Sequence, residues 1–229
     1  MKLKSFGCSF IWGSELSDEG VDVVPFPTPS KLTWPANLAR HYGYDYWCYA
    51  RPGTGNLQIA EQVLNQAALD DSAFYVIGWT WINRYDYYPT IPTDKSISPW
   101  RTIMPVDENE VSKTYYKYIQ SDYCDKLTHL MYIKTVIDTL KKKDLPFIMT
   151  FLDDLLFDTK WHTGPAVLEL QEYIRPYITQ FDGKNFLNWS RDKGFPETAL
   201  WHPLEEAHRA ATDYMTTVFD KQKTSGPTQ

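Results

Sequence analysis

The sequence predicts an α/β fold of three layers, α/β/α, with helices on both faces of a parallel sheet, and three observations carry that prediction. Apolar segments of strand length, at residues 2–7, 44–50, 73–80 and 145–152, alternate with segments in which apolar residues recur at helical spacing. The run 73–80 is apolar almost throughout, as expected of a strand covered on both faces. At 229 residues with 43 % hydrophobic content, the chain is long enough for one full core and not obviously for two.

Residues 2–7 form a short strand with Leu3 and Phe6 buried, ending at Gly7, which permits a sharp turn. A Pro-rich loop follows at 24–29. Ser30 is then placed to cap a helix that carries Leu32, Trp34, Leu38 and His41 and closes at Gly43. Aromatic residues alternate along 44–50 until Arg51, Pro52 and Gly53 break the strand. From Asn56, the residues Leu57, Ile59, Ala60, Val63, Leu64 and Ala67 share a helical face that leads into the strand 73–80.

Residues 83–113 hold several prolines, mixed polarity and no clean period, and so read as an irregular insertion of a length that is usually functional. Helical spacing returns over 115–143, the strand 145–152 follows, and a helix over about 165–181 is expected to kink at Pro176, whose missing N–H costs a ladder bond. The last helix runs from Pro203 to about Lys221, with Leu204, Ala207, His208, Ala211 and Met215 on one stripe. Residues 1–221 thus make a single domain, and 222–229 read as a flexible tail.

A formal charge of −6 argues against a nucleic-acid partner, because neutralising phosphates requires clustered Lys and Arg. The basic run Lys141, Lys142 and Lys143 reads instead as a helix C-terminus, where cations suit the dipole. Cys8, Cys48 and Cys124 are odd in number and lack metal-type spacing, so neither a disulfide framework nor a zinc site is suggested and a reducing compartment fits best. The chain shows no signal-peptide pattern and no 18-residue apolar run, and the expectation is a protein with no membrane association. Aromatic residues, 16 % of the chain, crowd between Trp79 and Tyr132, which suits either a carbohydrate-stacking surface or an aromatic core beneath the insertion.

In a parallel sheet with right-handed crossovers, the loops after the strands gather at one edge, where ligands bind. Loops 7–13, 51–56 and 80–84 would meet there. Nucleophilic acyl transfer needs a hydroxyl that an imidazole can deprotonate, plus donors aimed at the developing oxyanion. Ser9, on the turn after the first strand, is suitably placed to attack, and His202, ahead of the last helix, to act as base.

Gly7-Cys8-Ser9 with Gly13, then His202-Pro203 with His208, stand in the order of the nucleophile and base blocks of the SGNH (GDSL-type) hydrolases, and the chain resembles that family. The run Lys4-Ser5-Phe6-Gly7-Cys8-Ser9-Phe10 with the late His-Pro is similar to SGNH-like proteins encoded by tailed bacteriophages. The resemblance implies the flavodoxin-like SGNH hydrolase fold, a Ser9–His202 dyad, and no cofactor or metal. It also implies an oxyanion hole built from the backbone N–H groups of Ser9 and Gly53, with Gly55 a second match for the glycine. The family's third block, a glycine followed two residues later by Asn, is here Gly78-Trp79-Thr80, so the Thr80 hydroxyl or the Asn83 amide would have to supply the third donor.

The family carboxylate three residues before the histidine is replaced by Ala199, leaving Glu197, Asp192 or a backbone carbonyl to orient the imidazole. Cys8 is expected to point into the core, and His162, His202 and His208 lack the carboxylate spacing of a metal site. Arg84, Asp153 and Trp79 are candidates to contact substrate, although Asp153 and Asp154 equally suit the cap of a following helix. The implied function is that of an esterase or carbohydrate O-deacetylase acting on a small-molecule or carbohydrate ester, cytoplasmic or virion-associated, with virion proteins as further partners. The unmatched Asn and Asp leave an alternative, a non-catalytic binding or structural protein on the same fold.

Overall fold

A computed structural model describes residues 1–20, 27–69, 72–90 and 99–225. The strands are β1 (Lys2–Phe6), β2 (Asp45–Cys48), β3 (Ala73–Trp79), β4 (Tyr85–Tyr87), β5 (Arg101–Ile103) and β6 (Phe147–Phe151). The helices are α1 (Ser9–Trp12), α2 (Trp34–His41), α3 (Asn56–Leu69), α4 (Glu110–Tyr118), α5 (Asp122–Lys142), α6 (Pro165–Ile174), α7 (Phe186–Asp192) and α8 (Glu205–Ser225).

The predicted architecture is present. Four strands form a parallel sheet in the order β2-β1-β3-β6, with Leu3 opposite Tyr46 on one side and Phe74 on the other. Successive side chains of a strand point to opposite faces, and the two halves of the core follow that alternation. Phe6, Tyr75, Ile77 and Met149 pack under α3, α5 and α6, through residues such as Ile59, Val63, Ile133, Ile137 and Val167. Leu3, Phe74, Val76 and Ile148 pack against the other helical layer, through Trp34, Leu38, Ala211 and Met215. Every residue of β3 is buried, which is why its sequence shows no polar alternation.

Several boundaries differ from those read in the sequence, each for a local reason. Helix α2 begins after Thr33, whose side chain makes no capping bond, rather than at Ser30, whose hydroxyl is bonded to Asp18. The helical stretch expected over 115–143 is two helices, because the Ser121 hydroxyl accepts the N–H of Cys124 and starts α5 afresh. At the other end of that break, α4 reaches back to Glu110 under an Asn109 cap. Pro176 lies in a short 3-10 turn, Arg175–Tyr177, that ends α6 and its neighbourhood instead of kinking a longer helix. The helix α7, absent from the sequence reading, starts where the Asn185 side chain accepts the N–H of Asn188.

The insertion is also more regular than its composition suggests. It holds the antiparallel pair β4–β5 and the start of α4. Its anchor is Asp86, a buried carboxylate that accepts the N–H groups of Gly55 and Gln58, the Gln58 amide and the Thr102 hydroxyl. Those contacts satisfy otherwise orphaned donors at the start of α3. They also require a glycine at 55, where a Cβ would lie 2.6 Å from the Asp86 oxygens. Helix α8 extends into the expected tail as far as Ser225. Residues 24–26 of the Pro-rich loop, 91–98 of the insertion and 226–229 of the tail lie outside the described residues. Among the described residues no helix is long and apolar enough to cross a membrane.

His208 joins α8 to the start of α2. Its Nδ1 accepts the N–H of Trp34 at 3.1 Å, and its ring packs on Phe186. Burial drives its pKa down from 6.5 to about 3. The protein therefore keeps the neutral ring, while the unfolded chain takes up a proton below pH 6.5. This contribution to stability is full above pH 6.5 and is lost progressively as pH falls toward 3. Urea unfolding between pH 7.5 and 4.5 should show a falling midpoint in the parent, and His208→Asn, which retains an acceptor, should show a shallower fall.

Candidate active site

The loops that leave the four parallel strands are tied to one another at the carboxyl edge of the sheet. The Arg51 N–H donates to the carbonyl of Gly7 at 3.0 Å. The Asn56 side chain pairs with the backbone of Thr80 in both directions, at 2.8 and 3.0 Å. The Ile82 N–H donates to Asp153 at 2.9 Å. On this platform β1 ends and α1 begins after only two residues. That short connection needs small residues beneath it: a Cβ at Gly7 would stand 2.5 Å from Ile11 Cγ1, and one at Gly78 would stand 2.6 Å from the same atom. Cys8 is buried in the core, as read from the sequence.

Ser9, the first residue of α1, is 7 % exposed. Its Oγ lies 2.9 Å from Nε2 of His202, a residue 193 positions away in the chain. On the other side of the ring, His202 Nδ1 lies 2.5 Å from Oε2 of Glu15. A carboxylate accepts and cannot donate, so Nδ1 carries the proton and donates to Glu15. In the neutral ring Nε2 is then the acceptor, facing the Ser9 hydroxyl.

The turn that presents His202 is organised by Thr198. Its N–H donates to the His202 carbonyl at 3.0 Å. Its hydroxyl accepts the N–H groups of Leu200 and His202, both at 3.2 Å, and donates to Glu15 Oε2 at 2.6 Å. Hydrogen bonds from Thr198 and then from His202 hold the Glu15 carboxyl below its ordinary range, so it is ionised at neutral pH. Glu15 and Trp201 both have left-handed backbone, with φ of 67° and 65°, a conformation uncommon for residues with side chains. Phe10 meets the His202 ring edge-on at 5.2 Å and the Trp81 ring at 5.5 Å.

Beside this group a cleft of about 340 Å³ is lined by residues including Trp81, Asp153, Asp154, Asn188, Arg191 and Trp201. Its two tryptophans each carry a guanidinium, Arg84 over Trp81 at 4.9 Å and Arg191 over Trp201 at 5.8 Å. Asn185 and Asn188 donate to Asp154 at 2.8 and 2.7 Å.

The remaining sequence-predicted residues fall as follows. Gly53 sits in the loop after β2 with φ of 77°. Thr80 is buried, its hydroxyl oxygen lacking a partner among the described residues, whereas the Asn83 side chain is exposed. Arg84 donates to the carbonyl of Thr54 at 3.0 Å. Asp153 lines the cleft, but both its oxygens accept backbone N–H groups, from Ile82 and Leu155, and burial raises its pKa. It therefore caps the following turn, the second of the two roles its sequence context allowed. Trp79 is a correction: it is fully buried in the core beneath α3 and α5, and Trp81, two residues on, faces the cleft.

The orienting carboxylate is a second correction. Glu197 is engaged by Arg191 at 2.8 and 3.0 Å, and Asp192 is paired with Lys184. Glu15 and Thr198 were missed because no spacing rule links them to His202. Loop 13–19 brings Glu15 into place by other contacts. The Glu15 N–H donates to Glu19 at 2.7 Å, the Trp12 indole to Glu19 at 2.8 Å and the Ser17 N–H to Glu205 at 2.9 Å. The available signal was a carboxylate two residues past Gly13, close behind the nucleophile block.

No protein-family model matches the sequence, and no curated protein matches it. Solved structures do. A G-D-S-L family lipolytic protein from Desulfitobacterium hafniense aligns over 95 % of this chain and 98 % of its own, with TM-score 0.50 and 13 % identity. A member of the lipolytic protein G-D-S-L family from Veillonella parvula aligns over 97 % of this chain and all of its own, with TM-score 0.50 and 12 % identity. The chain thus has the three-layer fold of the G-D-S-L lipolytic proteins along nearly its whole length.

Proposed function

We propose that the protein is a serine hydrolase that cleaves an ester, as an esterase or carbohydrate O-deacetylase. The observation that carries this reading is the 2.9 Å contact between Ser9 Oγ and His202 Nε2 at the ligand-binding edge of a parallel sheet. Ser9 Oγ attacks the acyl carbon while His202 Nε2 takes its proton. The tetrahedral oxyanion accepts from the backbone N–H groups of Ser9 and Gly53 and from the Thr80 hydroxyl. Thr80 is preferred to Asn83 because its hydroxyl is buried and otherwise unpartnered, which calls for an explanation. Collapse breaks the bond to the alcohol oxygen, which receives the proton from His202. Water, deprotonated by the same nitrogen, then attacks the acyl carbon, and the bond to Ser9 breaks as His202 returns the proton to Ser9 Oγ, releasing the acid.

The alcohol portion is assigned to the cleft between Trp81 and Trp201. Flat rings beside hydrogen-bonding amides and carboxylates suit a sugar, whose apolar face stacks and whose hydroxyls need partners. Arg84, whose guanidinium lies over the Trp81 ring at 4.9 Å, acts through that ring. Binding without catalysis on the same fold is the competing reading, and a virion-associated role, suggested by the sequence of residues 4–10, is compatible with either.

Ser9→Ala should abolish hydrolysis of p-nitrophenyl acetate and labelling by a fluorophosphonate probe. Equal rates in variant and parent would overturn the hydrolase reading. Thr80→Val should lower kcat about a hundredfold, the scale of one lost oxyanion donor, with KM little changed. Trp201→Ala should raise KM for an acetylated oligosaccharide about tenfold and leave p-nitrophenyl acetate nearly unaffected, as expected if stacking contributes about 1 kcal/mol or somewhat more.

A further inference from the structure

We propose that Glu15 is the positioning carboxylate of the hydrolase, supplied by the loop behind the nucleophile instead of the turn ahead of the histidine. The inference rests on the Ser9–His202 reading above and assigns the one role that Ala199 leaves unfilled. Glu15 Oε2 accepts the His202 Nδ1 proton at 2.5 Å, which fixes the tautomer with Nε2 free to receive the Ser9 proton. The same oxygen accepts the Thr198 hydroxyl at 2.6 Å, and that hydroxyl accepts the His202 N–H at 3.2 Å. Carboxylate, ring and ring-bearing backbone are thereby held as one unit. The two carboxylates that the sequence offered ahead of His202 are engaged elsewhere, Glu197 with Arg191 and Asp192 with Lys184.

The backbone is shaped for this contact. Glu15 adopts left-handed φ two residues after Gly13, and the loop is tied by Glu19 and Glu205. When His202 becomes imidazolium during attack, an ionised carboxylate at Nδ1 offsets the new charge. Nucleophile and carboxylate share one short segment, so the base must fit between two groups six residues apart.

The test uses Glu15→Gln and Glu15→Ala with p-nitrophenyl acetate, the parent and Ser9→Ala serving as references. Glu15→Gln is expected to lower kcat between tenfold and a thousandfold, less than a fully buried triad carboxylate because the Glu15 side chain is 36 % exposed, with KM within about twofold. Added formate should restore part of the Glu15→Ala rate and none of the Ser9→Ala rate. In the proton NMR spectrum, the parent should show a far-downfield imidazole N–H resonance that Glu15→Gln removes, a readout independent of turnover. Unchanged kcat and an unchanged resonance in Glu15→Gln would overturn this assignment alone. A parent with no Ser9-dependent turnover would overturn the hydrolase reading and the catalytic use of Glu15 with it. If Glu15→Gln does not fold, the parent's resonance and the formate response of Glu15→Ala decide.

Discussion

Ile11 occupies the space that side chains at Gly7 and Gly78 would otherwise take, and this contact sets the height and orientation of α1 over the two central strands. A close-packed interior leaves no room for both. Because α1 begins with Ser9, the seating of Ile11 fixes where the hydroxyl emerges. The loops around it are tied by hydrogen bonds to backbone groups, from Arg51 to Gly7 directly and through the side chains of Asn56 to Thr80 and of Asp153 to Ile82. Such contacts have directional geometry and low tolerance for displacement. They therefore suit a platform whose groups must meet at hydrogen-bond distance.

His202 is placed from the opposite direction. Its ring is clasped by Ser9 and Glu15, supported edge-on by Phe10, and carried on a turn whose internal bonds converge on one threonine hydroxyl. Thr198 uses both lone pairs and its proton, the full capacity of a hydroxyl. His208, one turn into α8, has the contrasting role of a buried ring with a backbone partner. Two histidines six residues apart thus divide between a ring held by Ser9 and Glu15 and a structural joint.

The sheet was legible because each parallel strand is a short, nearly continuous apolar run, and Ser9 and His202 because both sit where such a sheet gathers its loops. The helix ends were less legible: Ser121, Asn109 and Asn185 act through single side-chain bonds that periodicity does not register. The hairpin in the insertion depends on Asp86, a residue whose burial follows from contacts with Gly55 and Gln58 about thirty positions earlier. Glu15 was hidden for the same reason. Its partner lies 187 residues away, and its loop has neither a period nor a propensity that marks it. Trp79 was taken for a cleft residue because composition does not show where β3 ends: Trp79, its last residue, stays in the core, whereas Trp81 lies past the strand and faces the cleft.

The 193-residue separation of Ser9 and His202 also bears on how the protein is made. Ribosomal synthesis delivers Ser9 and Glu15 long before His202. Loop closure over that distance has to follow assembly of the sheet, since non-local contacts are entropically costly until others shorten the path. A nascent or truncated chain carries Ser9 as an ordinary, weakly nucleophilic alcohol. In the hydrolase proposed above, Ser9 gains its base only once α8 docks through His208 and Trp34, so acyl chemistry waits on assembly of the fold.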